Sequence, residues 1–477
     1  MGYPPTKIKP WKHQIEAWEL ASKQKSFYLA HQMGCGKTKS AIDYCNGVYA
    51  NRILIICPKK VMSVWPNQFK IHSHKDYDVI ALNNNKPVSK KATQLKDFIR
   101  QKETSGQPFA VVLNYESFWR PPMGPVYKKN RRIEAGLLLT LPWDLIIADE
   151  AHRCKSPGGA ASWGLTRLCR QIDRRLFLSG TPMPHSPVDI YAQFRALDPS
   201  VFGTSFAIFR QRYCVMGGFE NRQIVKFINI DDLNKRFYSK AHYVKSEDAL
   251  DLPEKQDITI SCNLDNKAMK IYRELDKEFI AEVDKNEITA DNALVKLLRL
   301  AQIAGGYLKL DDGTTKVIDD NKIDTVIEIL RDLPETEPVV IFCRFRNELR
   351  RLTDKIEKEF SQRKVGEISG RMSGPYDFYD GIWHATDTNT LLVQISSGGE
   401  GIDLTSARYC IYMSIGYSLG QYQQSKSRLH RPGQTRKVIY YHIVANGTVD
   451  TKIISAIKSK RRIVDSVLHQ YKSNMIL

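Results

Sequence analysis

The chain has 477 residues, of which 42% are hydrophobic, and its 71 Lys and Arg against 52 Asp and Glu give a formal net charge of +19 at pH 7. This length exceeds what one hydrophobic core usually supports, so two large domains are expected and a single small one is excluded. The basic excess favours a polyanionic partner, nucleic acid first and an anionic membrane surface second, with a merely basic soluble surface as the alternative.

Secretion and membrane spanning are not expected. The stretch MGYPPTKIKPWK has no apolar signal core, and no run approaches eighteen apolar residues. We find no interfacial amphipathic helix, which weakens the membrane partner. The nine cysteines form no C-x-x-C pair, and several, such as Cys57 and Cys343, lie within apolar runs. We therefore expect a reducing compartment, the cytoplasm, and no zinc site.

Short apolar runs alternate with helix-compatible stretches in both halves of the chain. They are rich in β-branched and aromatic residues and bounded by Pro, Gly, Asp or Asn, which is typical of buried parallel strands. In chain order the first series is SFYLA, RILIICP, FAVVLNY, WDLIIAD and RRLFLSG, and the second is EPVVIFC, KVGEISG, NTLLVQIS, ARYCIYMS and RKVIYYHIV. The predicted fold class is α/β, with two parallel-sheet domains in tandem.

Helical segments interrupt this alternation once in each domain. Residues 186–240 look helical and aromatic, and residues 264–304 have the periodicity of two long helices. We interpret both as insertions on the domains. The polar stretch at 246–255 is the predicted linker, which gives an N-terminal domain at 1–245 and a C-terminal domain at 246–477.

Residues 31–38, HQMGCGKT, have the composition of a phosphate-binding loop. Gly34 and Gly36 would let backbone N–H groups approach phosphate oxygens, Lys37 supplies a positive charge and Thr38 offers a hydroxyl to Mg²⁺. A predicted strand precedes the loop and a proline-free helical stretch follows it, as an anion site at a helix N-terminus requires. The alternative is a glycine turn with an incidental lysine.

Asp149 and Glu150 follow the predicted strand WDLIIAD. At the carboxyl edge of a parallel sheet, successive residues point in different directions, so one acid can face a metal ion and the other an attacking water. We expect Asp149 to hold Mg²⁺ and Glu150 to act as general base or to orient the water. A helix cap is the alternative, and the order of loop and acid pair argues against it.

Five motifs in chain order, HQMGCGKT, DEAHRCKS, LSGTP, GGEGIDL and QSKSRLHRPGQT, resemble those of superfamily 2 helicases, specifically the SNF2 family of DNA-translocating ATPases. The similarity extends from about residue 8 to about residue 456. It implies two tandem RecA-like lobes with SNF2-type helical insertions, and ATP and Mg²⁺ as cofactors. The compact form resembles members from bacteria or their viruses.

The resemblance implies further nucleotide-linked roles. Gln14 is expected to read adenine, and residues 179–181 to couple the ATP state to lobe movement. Arg428 and Arg431 stand three apart, which on a helix puts both guanidinium groups on one face. The resemblance makes them arginine fingers for the γ-phosphate, although an R-x-x-R alone is usually a surface pair. The remaining implied nucleotide-binding residues are Met33, Cys35, Lys39, Gly401, Asp403 and Gln434.

Loops at strand ends are implied to contact nucleic acid. Contacts to phosphates read no base, so binding should be largely independent of sequence and sensitive to salt. Each position is also compatible with an ordinary strand-end turn. The implied contacts are Pro58, Lys59, Asn114, Tyr115, Arg344, Ser396, Ser397 and Gly398.

Three departures from the family pattern concern coupling rather than hydrolysis. His31 and Gln32 stand where the family often has two acids, residues 415–425 lack the usual Trp-Asn-Pro, and Ser427 replaces an Asp. These changes put in doubt how strongly DNA and hydrolysis are coupled.

The predicted function is DNA-dependent ATP hydrolysis that drives movement on double-stranded DNA and remodels protein–DNA or branched DNA. We expect binding to single-stranded DNA as well, a monomer, and location in a bacterial or virus-infected bacterial cell. Two alternatives stay open: a strand-separating DNA or RNA helicase, and an ATP-gated nucleic-acid-binding module without processive movement. The sequence identifies no protein cargo.

Overall fold

A computed structural model describes residues 2–82, 85–124, 126–127, 133–134, 136–218, 223–284, 290–310, 313–397 and 402–469. The chain forms two compact units, Met1–Leu250 with Arg462–Leu477, and Asp251–Arg461. The prediction placed the boundary after residue 245 and gave the whole C-terminus to the second domain. The first unit includes the C-terminal segment because residues there bond within it: the Tyr238 hydroxyl donates to the Leu468 carbonyl at 2.6 Å.

The first unit is built on a seven-stranded parallel sheet with the order β11-β1-β8-β7-β2-β4-β3. Two short antiparallel pairs, β5 with β6 and β9 with β10, stand apart from it. The strands of this unit are β1 Ser26–His31, β2 Arg52–Cys57, β3 Asp78–Ala81, β4 Phe109–Asn114, β5 Val126–Tyr127, β6 Ile133–Glu134, β7 Leu145–Asp149, β8 Arg174–Leu178, β9 Cys214–Gly217, β10 Gln223–Phe227 and β11 Ala241–Val244. Its helices are α1 Lys12–Ala21, α2 Lys37–Gly47, α3 Val64–His72, α4 Val88–Ser105, α5 Tyr115–Phe118, α6 Leu137–Thr140, α7 Ala160–Cys169, α8 Ile190–Leu197, α9 Pro199–Phe202, α10 Phe206–Tyr213, α11 Ile230–Tyr238 and α12 Ser246–Ala249.

The sheet order brings three motifs to one edge. Every residue of β1, β4 and β7 is buried, as expected for apolar strands covered on both faces. Because β1, β8 and β7 are neighbours and parallel, their carboxyl ends meet at the same edge. The phosphate loop, residues 179–181 and the acid pair therefore leave the sheet side by side.

The insertion at 186–240 differs in part from the prediction. It contains the helices α8 to α11, but β9 and β10 lie between α10 and α11 as a two-stranded antiparallel ribbon. Helical periodicity in the flanking aromatic stretches obscured these short strands. Their exposed Val215 and Val225 are β-branched, which favours extended backbone over helix.

The second unit is built on a six-stranded parallel sheet with the order β12-β21-β20-β15-β19-β16. The two long helices predicted at 264–304 are α13, Asn266–Asp284, and α14, Ala290–Ala304. The strands are β12 Lys255–Cys262, β13 Tyr307–Lys309, β14 Thr315–Val317, β15 Val339–Cys343, β16 Val365–Ile368, β17 Phe378–Tyr379, β18 Ile382–Trp383, β19 Thr390–Gln394, β20 Tyr409–Tyr412 and β21 Val438–Ala445. The helices are α13 Asn266–Asp284, α14 Ala290–Ala304, α15 Asn321–Arg331, α16 Arg346–Glu359, α17 Leu419–Lys426 and α18 Val449–His469, which begins in this unit.

A tight hairpin, β17–β18, was not predicted and positions part of the second unit's site. Asp380 and Gly381 form its two-residue turn with φ of 53° and 78°, the left-handed backbone that an Asp-Gly pair tolerates. The Trp383 N–H donates to the Asp403 carbonyl at 3.0 Å, and the Asp403 N–H donates to the Gly381 carbonyl at 2.7 Å. The hairpin thereby fixes the backbone of Asp403.

A buried ion pair ties α15 to α18 in the second unit. The Lys322 ammonium, 2% exposed, donates to the Asp450 carboxylate, which also accepts the Ala445 N–H at 3.1 Å. Both charges are largely removed from water, so each depends on the other.

Lys322→Ala is expected to lower the stability of the second unit by roughly 3–5 kcal/mol, because it leaves the Asp450 charge buried without its partner. Calorimetry would show a lower thermal midpoint than for the wild type. Lys452→Ala, at an exposed position of α18, the helix that carries Asp450, is the control. Equal midpoints for the two variants would show that the pair contributes nothing.

Candidate functional site

The phosphate loop connects β1 to α2 through two glycines with left-handed backbone. Gly34 has φ of 86° and Gly36 has φ of 69°. A side chain at position 36 would also meet the Gln14 amide nitrogen at 2.5 Å, so glycine is required there for two reasons. The Lys37 ammonium donates to the His31 carbonyl at 2.9 Å and to the Gln32 carbonyl at 3.4 Å. Lys37 is thus folded over the loop. The loop leads directly into α2, and the N–H groups in the first turn of a helix can bind an anion.

Two residues of α1 brace the loop from behind. His13 Nε2 lies 2.9 Å from the Cys35 carbonyl oxygen. Gln14 is 2% exposed, donates to the Gly36 carbonyl at 3.3 Å and accepts the Trp11 N–H at 2.8 Å. The structure therefore shows Gln14 holding the loop, and its contact with adenine stays a prediction. Sequence reasoning missed His13, which no motif marks.

The structure does not bring the Lys39 side chain to the loop. Its ammonium is buried against the Asp43 carboxylate, which also accepts the Tyr3 hydroxyl at 2.7 Å. The Lys39 ammonium is therefore engaged within α2, and a contact of Lys39 with the nucleotide through its backbone stays a prediction. Cys35 is fully buried, and burial raises the pKa of its thiol to about 11. Met33 lies beside Gly180, where an added Cβ would be 3.2 Å from its Cγ.

The acid pair stands at the end of β7. Asp149 is the last residue of the strand and Glu150 follows with φ of 53°, a left-handed conformation that side chains rarely adopt. Strained backbone of this kind is concentrated at functional sites. Both carboxyl groups are buried, and a division of roles between them stays a prediction.

The Glu150 carboxylate is held by a short polar network. The Ser179 hydroxyl donates to Glu150 Oε2 at 3.3 Å, and His152 Nδ1 lies 3.2 Å from the same oxygen. His152 Nδ1 and Ser179 Oγ are 2.9 Å apart, and Ser179 also accepts the Thr181 N–H at 3.1 Å. Residues 179–181, at the end of β8, are therefore in direct contact with the acid pair.

Asp149 has the properties of a cation ligand. Burial, reinforced by the adjacent Glu150, raises its pKa to about 7, and Lys37 opposes this shift. A carboxylate and the Thr38 hydroxyl are hard oxygen donors of the kind that Mg²⁺ prefers. The described residues contain no group of three or more His, Cys, Asp or Glu arranged to hold a metal. One carboxylate plus substrate phosphates is the usual protein share of a Mg²⁺ site, so Thr38 and Asp149 fit.

The segment after β4 connects internally to the acid pair. Tyr115 is 4% exposed, and its hydroxyl donates to the Asp149 carbonyl at 2.9 Å. Asn114 is equally buried: it accepts the Lys91 ammonium at 2.9 Å and donates to Glu116 at 2.7 Å. The polar atoms of these two side chains therefore attach the segment to the core of the first unit. Contact between the backbone of this segment and nucleic acid stays a prediction.

A second link from this segment runs to the residue after the DEAH motif. Glu116 accepts the Arg153 guanidinium at 3.1 Å. Lys91 is buried and also donates to the Ser117 hydroxyl at 2.9 Å. Lys91 lies on α4, far from any motif, so sequence reasoning had no signal for it. At the next strand end, Pro58 is buried and Lys59 is exposed.

The two arginines of the second unit bond to the same carbonyl, although they do not lie on a helix. Arg428 and Arg431 lie in turns after α17, which corrects the predicted helical placement. Both guanidinium groups nevertheless donate to the Ile402 carbonyl, at 3.4 and 3.3 Å. Arg431 Nε is 3.4 Å from Asp403 Oδ2, so Asp403 orients the second arginine.

Gln434 fixes the segment that follows Asp403. Its amide nitrogen donates to the carbonyls of Thr405 and Ala407 at 3.0 and 2.9 Å. Its oxygen accepts the N–H groups of Thr435 and Arg436. The Gln434 side chain therefore supports the arginine-bearing loop by binding backbone groups on both sides of it.

The other predicted residues of the second unit lie at strand ends. Arg344 follows β15, and its N–H donates to the Ser414 hydroxyl at 2.7 Å. Ser396 is exposed and Ser397 is half-buried after β19. Gly398 and Gly401 lie outside the described residues.

A glycine-lined phosphate loop with its lysine, two buried acids at the same sheet edge, and an arginine pair in a second parallel-sheet unit define a class of nucleoside triphosphate hydrolases. Residues 6–305 match the family model of the SNF2-related domain, and residues 321–433 match the helicase conserved C-terminal domain. The chain belongs to the SNF2 family, and it is a DNA-dependent ATPase of helicase superfamily 2.

The chain is similar to proteins from a phage, a bacterium and a yeast. The chain is 26% identical to "Putative protein p41" of Acyrthosiphon pisum secondary endosymbiont phage 1, over 97% of this chain and 98% of that protein. It is 24% identical to "Putative ATP-dependent helicase/translocase YwqA" of Bacillus subtilis, over 97% of this chain and 49% of YwqA. It is 23% identical to "DNA repair and recombination protein RAD26" of Saccharomyces cerevisiae, over 91% of this chain and 44% of RAD26. The chain thus spans nearly all of p41 but less than half of the other two.

A solved structure, the Sulfolobus solfataricus SWI2/SNF2 ATPase core in complex with dsDNA, is 20% identical with a TM-score of 0.43, over 97% of this chain and 93% of that one. Within the part of the chain that the structure describes, no helix has the length and apolar content to cross a bilayer.

Asp149→Asn is expected to raise the thermal midpoint of the nucleotide-free protein at pH 8, and to raise it less at pH 5. The raised pKa of Asp149 means that the folded protein keeps a proton that the unfolded chain loses above about pH 4. The free energy of unfolding therefore falls as the pH rises towards about 7, and the neutral amide escapes this loss. Midpoints from pH 5 to 8 would be compared with those of Asp97→Asn, an exposed control. A difference independent of pH would contradict the assignment.

Proposed function

We propose that the chain is an ATP-dependent translocase on double-stranded DNA, which uses ATP hydrolysis to move along the duplex and to remodel protein–DNA complexes or branched DNA. The observation that carries the proposal is the bond from Tyr115 to the Asp149 carbonyl. It attaches a segment that the family places at nucleic acid to the backbone of the catalytic acid. Movement of that segment on DNA would shift the backbone of Asp149 through this hydrogen bond.

The hydrolytic roles follow from the geometry of the first unit. Lys37 exchanges the carbonyls of His31 and Gln32 for the nucleotide phosphates. Thr38 and Asp149 hold Mg²⁺, which neutralises phosphate charge when it is bound. Glu150, oriented by Ser179 and His152, positions the attacking water or accepts its proton.

The remaining assignments rest on charge and on relatives. The net charge of +19 favours a polyanion, and contacts through Lys59, Arg344, Ser396 and Ser397 would read backbone rather than bases. Relatives named as repair, recombination and helicase/translocase proteins support DNA as the track. We also propose binding to single-stranded DNA, action as a monomer without zinc, and location in a bacterial cell, in keeping with the phage and Bacillus relatives.

Duplex DNA is expected to stimulate steady-state ATP hydrolysis by at least tenfold, and more than single-stranded DNA or RNA does. The reason is the internal link between the nucleic-acid segment and Asp149. Lys37→Ala, which removes the phosphate-binding charge, is the blank. Stronger stimulation by single strands or RNA would favour a strand-separating helicase. Turnover without displacement of a third strand from a triplex would favour an ATP-gated binding module.

Arg431→Ala is expected to lower kcat by at least a factor of about 100 while DNA affinity stays within twofold, because arginine fingers act on the transition state. Arg436→Ala is the matched control from the same loop, since Arg436 is exposed and pairs with Glu337 at 2.8 Å. ATPase rates and DNA binding would be measured for both variants. An unchanged rate for Arg431→Ala would remove this residue from the catalytic step.

A further inference from the structure

A cavity of about 410 Å³ opens beside α7 of the first unit, away from the phosphate loop. Its volume is within the range of pockets that hold small organic ligands. Residues 163, 166, 167 and 170 have the spacing of one helix face. The lining residues are Gly158, Ala160, Trp163, Thr166, Arg167 and Arg170.

Trp163 is held in place by a buried cation. The indole is 44% exposed, whereas Arg195 is only 4% exposed and lies with its guanidinium carbon 3.9 Å from the indole ring centroid. Arg195 donates to the Ser162 hydroxyl at 2.7 Å, and it lies 5.8 Å from the ring of Tyr191. A cation that is fixed under an exposed indole keeps the ring in one orientation at little entropic cost.

The charge around the cavity is positive. Arg167 and Arg170 lie on the same wall as Trp163, and the described lining residues include no carboxylate. Arg195 is close enough to Arg170 for the two cations to repel, and burial together with this repulsion lowers the pKa of Arg195. The first turn of α7 has no acidic residue and no side-chain cap, so its N–H groups add positive potential.

We propose that this cavity binds a single unpaired nucleotide, with its base stacked on Trp163 and its phosphate held by Arg167 and Arg170. A flat exposed ring recognises a base, and two guanidinium groups on one wall recognise a phosphate. The same chemistry could come from a nucleic-acid strand or from a free nucleotide. We favour the strand because the site is distinct from the phosphate loop, and this choice rests on nucleic acid being the partner in the proposed function.

The site would let the protein sense unpaired bases next to the duplex that it tracks. α7 begins ten positions after Glu150 in the chain. Duplex DNA keeps its bases stacked internally, so only a strand end, gap or branch could supply the base.

The test measures binding of the full chain to fluorescent single-stranded oligonucleotides without ATP, by anisotropy. One oligonucleotide carries bases and a second of equal charge is abasic. Trp163→Leu is expected to weaken binding to the base-bearing strand about tenfold, since stacking contributes about 1–3 kcal/mol per base. It should leave binding to the abasic strand unchanged, and Trp163→Phe should restore most of the loss.

The arginines are tested with a matched pair of double variants. Arg167→Gln with Arg170→Gln should weaken binding to both strands and lower the salt slope by about 0.7, as expected for the one phosphate that the two arginines hold. Lys96→Gln with Arg100→Gln removes two charges from an exposed face of α4, and it should leave the preference for base-bearing strands intact. Thermal midpoints of all variants would confirm that they fold.

The outcomes separate the possible sources. Equal loss for Trp163→Leu on both strands, or no loss on either, overturns the proposal. If polyglutamate displaces the abasic strand and the base-bearing strand equally well, the proposal is also overturned, because the cavity would then recognise charge alone. If AMP displaces the base-bearing strand from Lys37→Ala protein at micromolar concentration, the nucleotide chemistry stands and free nucleotide is the source.

Failure of this site is distinguishable from failure of the proposed function. Trp163→Leu should retain stimulation of ATP hydrolysis by duplex DNA. Stimulation without base-dependent binding would remove the site alone, whereas base-dependent binding without stimulation would remove the translocase alone.

Discussion

Two adjacent carboxyl groups that are buried at the end of one strand impose the constraint on which the site depends. Burial disfavours the charged form of Asp149, the adjacent Glu150 reinforces this effect, and the pKa of Asp149 is raised as a result. Lys37, at the start of α2, opposes the shift of the Asp149 pKa, since β1 and β7 flank β8 and end at the same edge of the sheet. The hydroxyl of Ser179 and the imidazole of His152 fix Glu150 through hydrogen bonds. Bound Mg²⁺ would add positive charge beside Asp149.

The same constraint explains why the segment after β4 is internal. A carbonyl that bears a hydrogen bond from a buried tyrosine cannot shift without breaking it, so Tyr115 fixes the backbone at Asp149. The Glu116–Arg153 pair attaches the neighbouring turn of the DEAH motif. Together they connect the segment after β4 to the acid pair and the DEAH motif in one network, and Lys91 is hydrogen-bonded to Asn114 at its far end.

The parts that the sequence predicted well are those with local causes. Buried parallel strands are continuous apolar runs, so the strands from SFYLA to RKVIYYHIV were recognisable, as were the loop and the acid pair that follow two of them. Three features have non-local causes. Asn114 and Tyr115 have motif positions but buried partners, which only tertiary contacts reveal. Arg428 and Arg431 converge through the Ile402 carbonyl rather than through helical spacing. The α7 face does have a sequence signal, Trp163 with arginines four and seven positions later, but its significance depends on Arg195, 25 positions beyond Arg170.

The buried and half-buried cations fall into two groups according to the charge of their hydrogen-bond partners. Lys39 and Lys322 face Asp43 and Asp450, so their charge is neutralised inside the protein and contributes to the fold. Lys37 is held by backbone carbonyls, Lys91 by an amide and a hydroxyl, and Arg195 by a hydroxyl and aromatic rings. Neutral acceptors satisfy the donors of a cation but leave its net charge in place. Such cations project positive potential into their surroundings, and anions bind where that potential is strongest. In the first unit these three positions are the phosphate loop, the segment that the family places at nucleic acid, and the cavity at α7. The pattern of neutral partners therefore identifies the same surface regions as the motifs do and adds α7, which no motif marks.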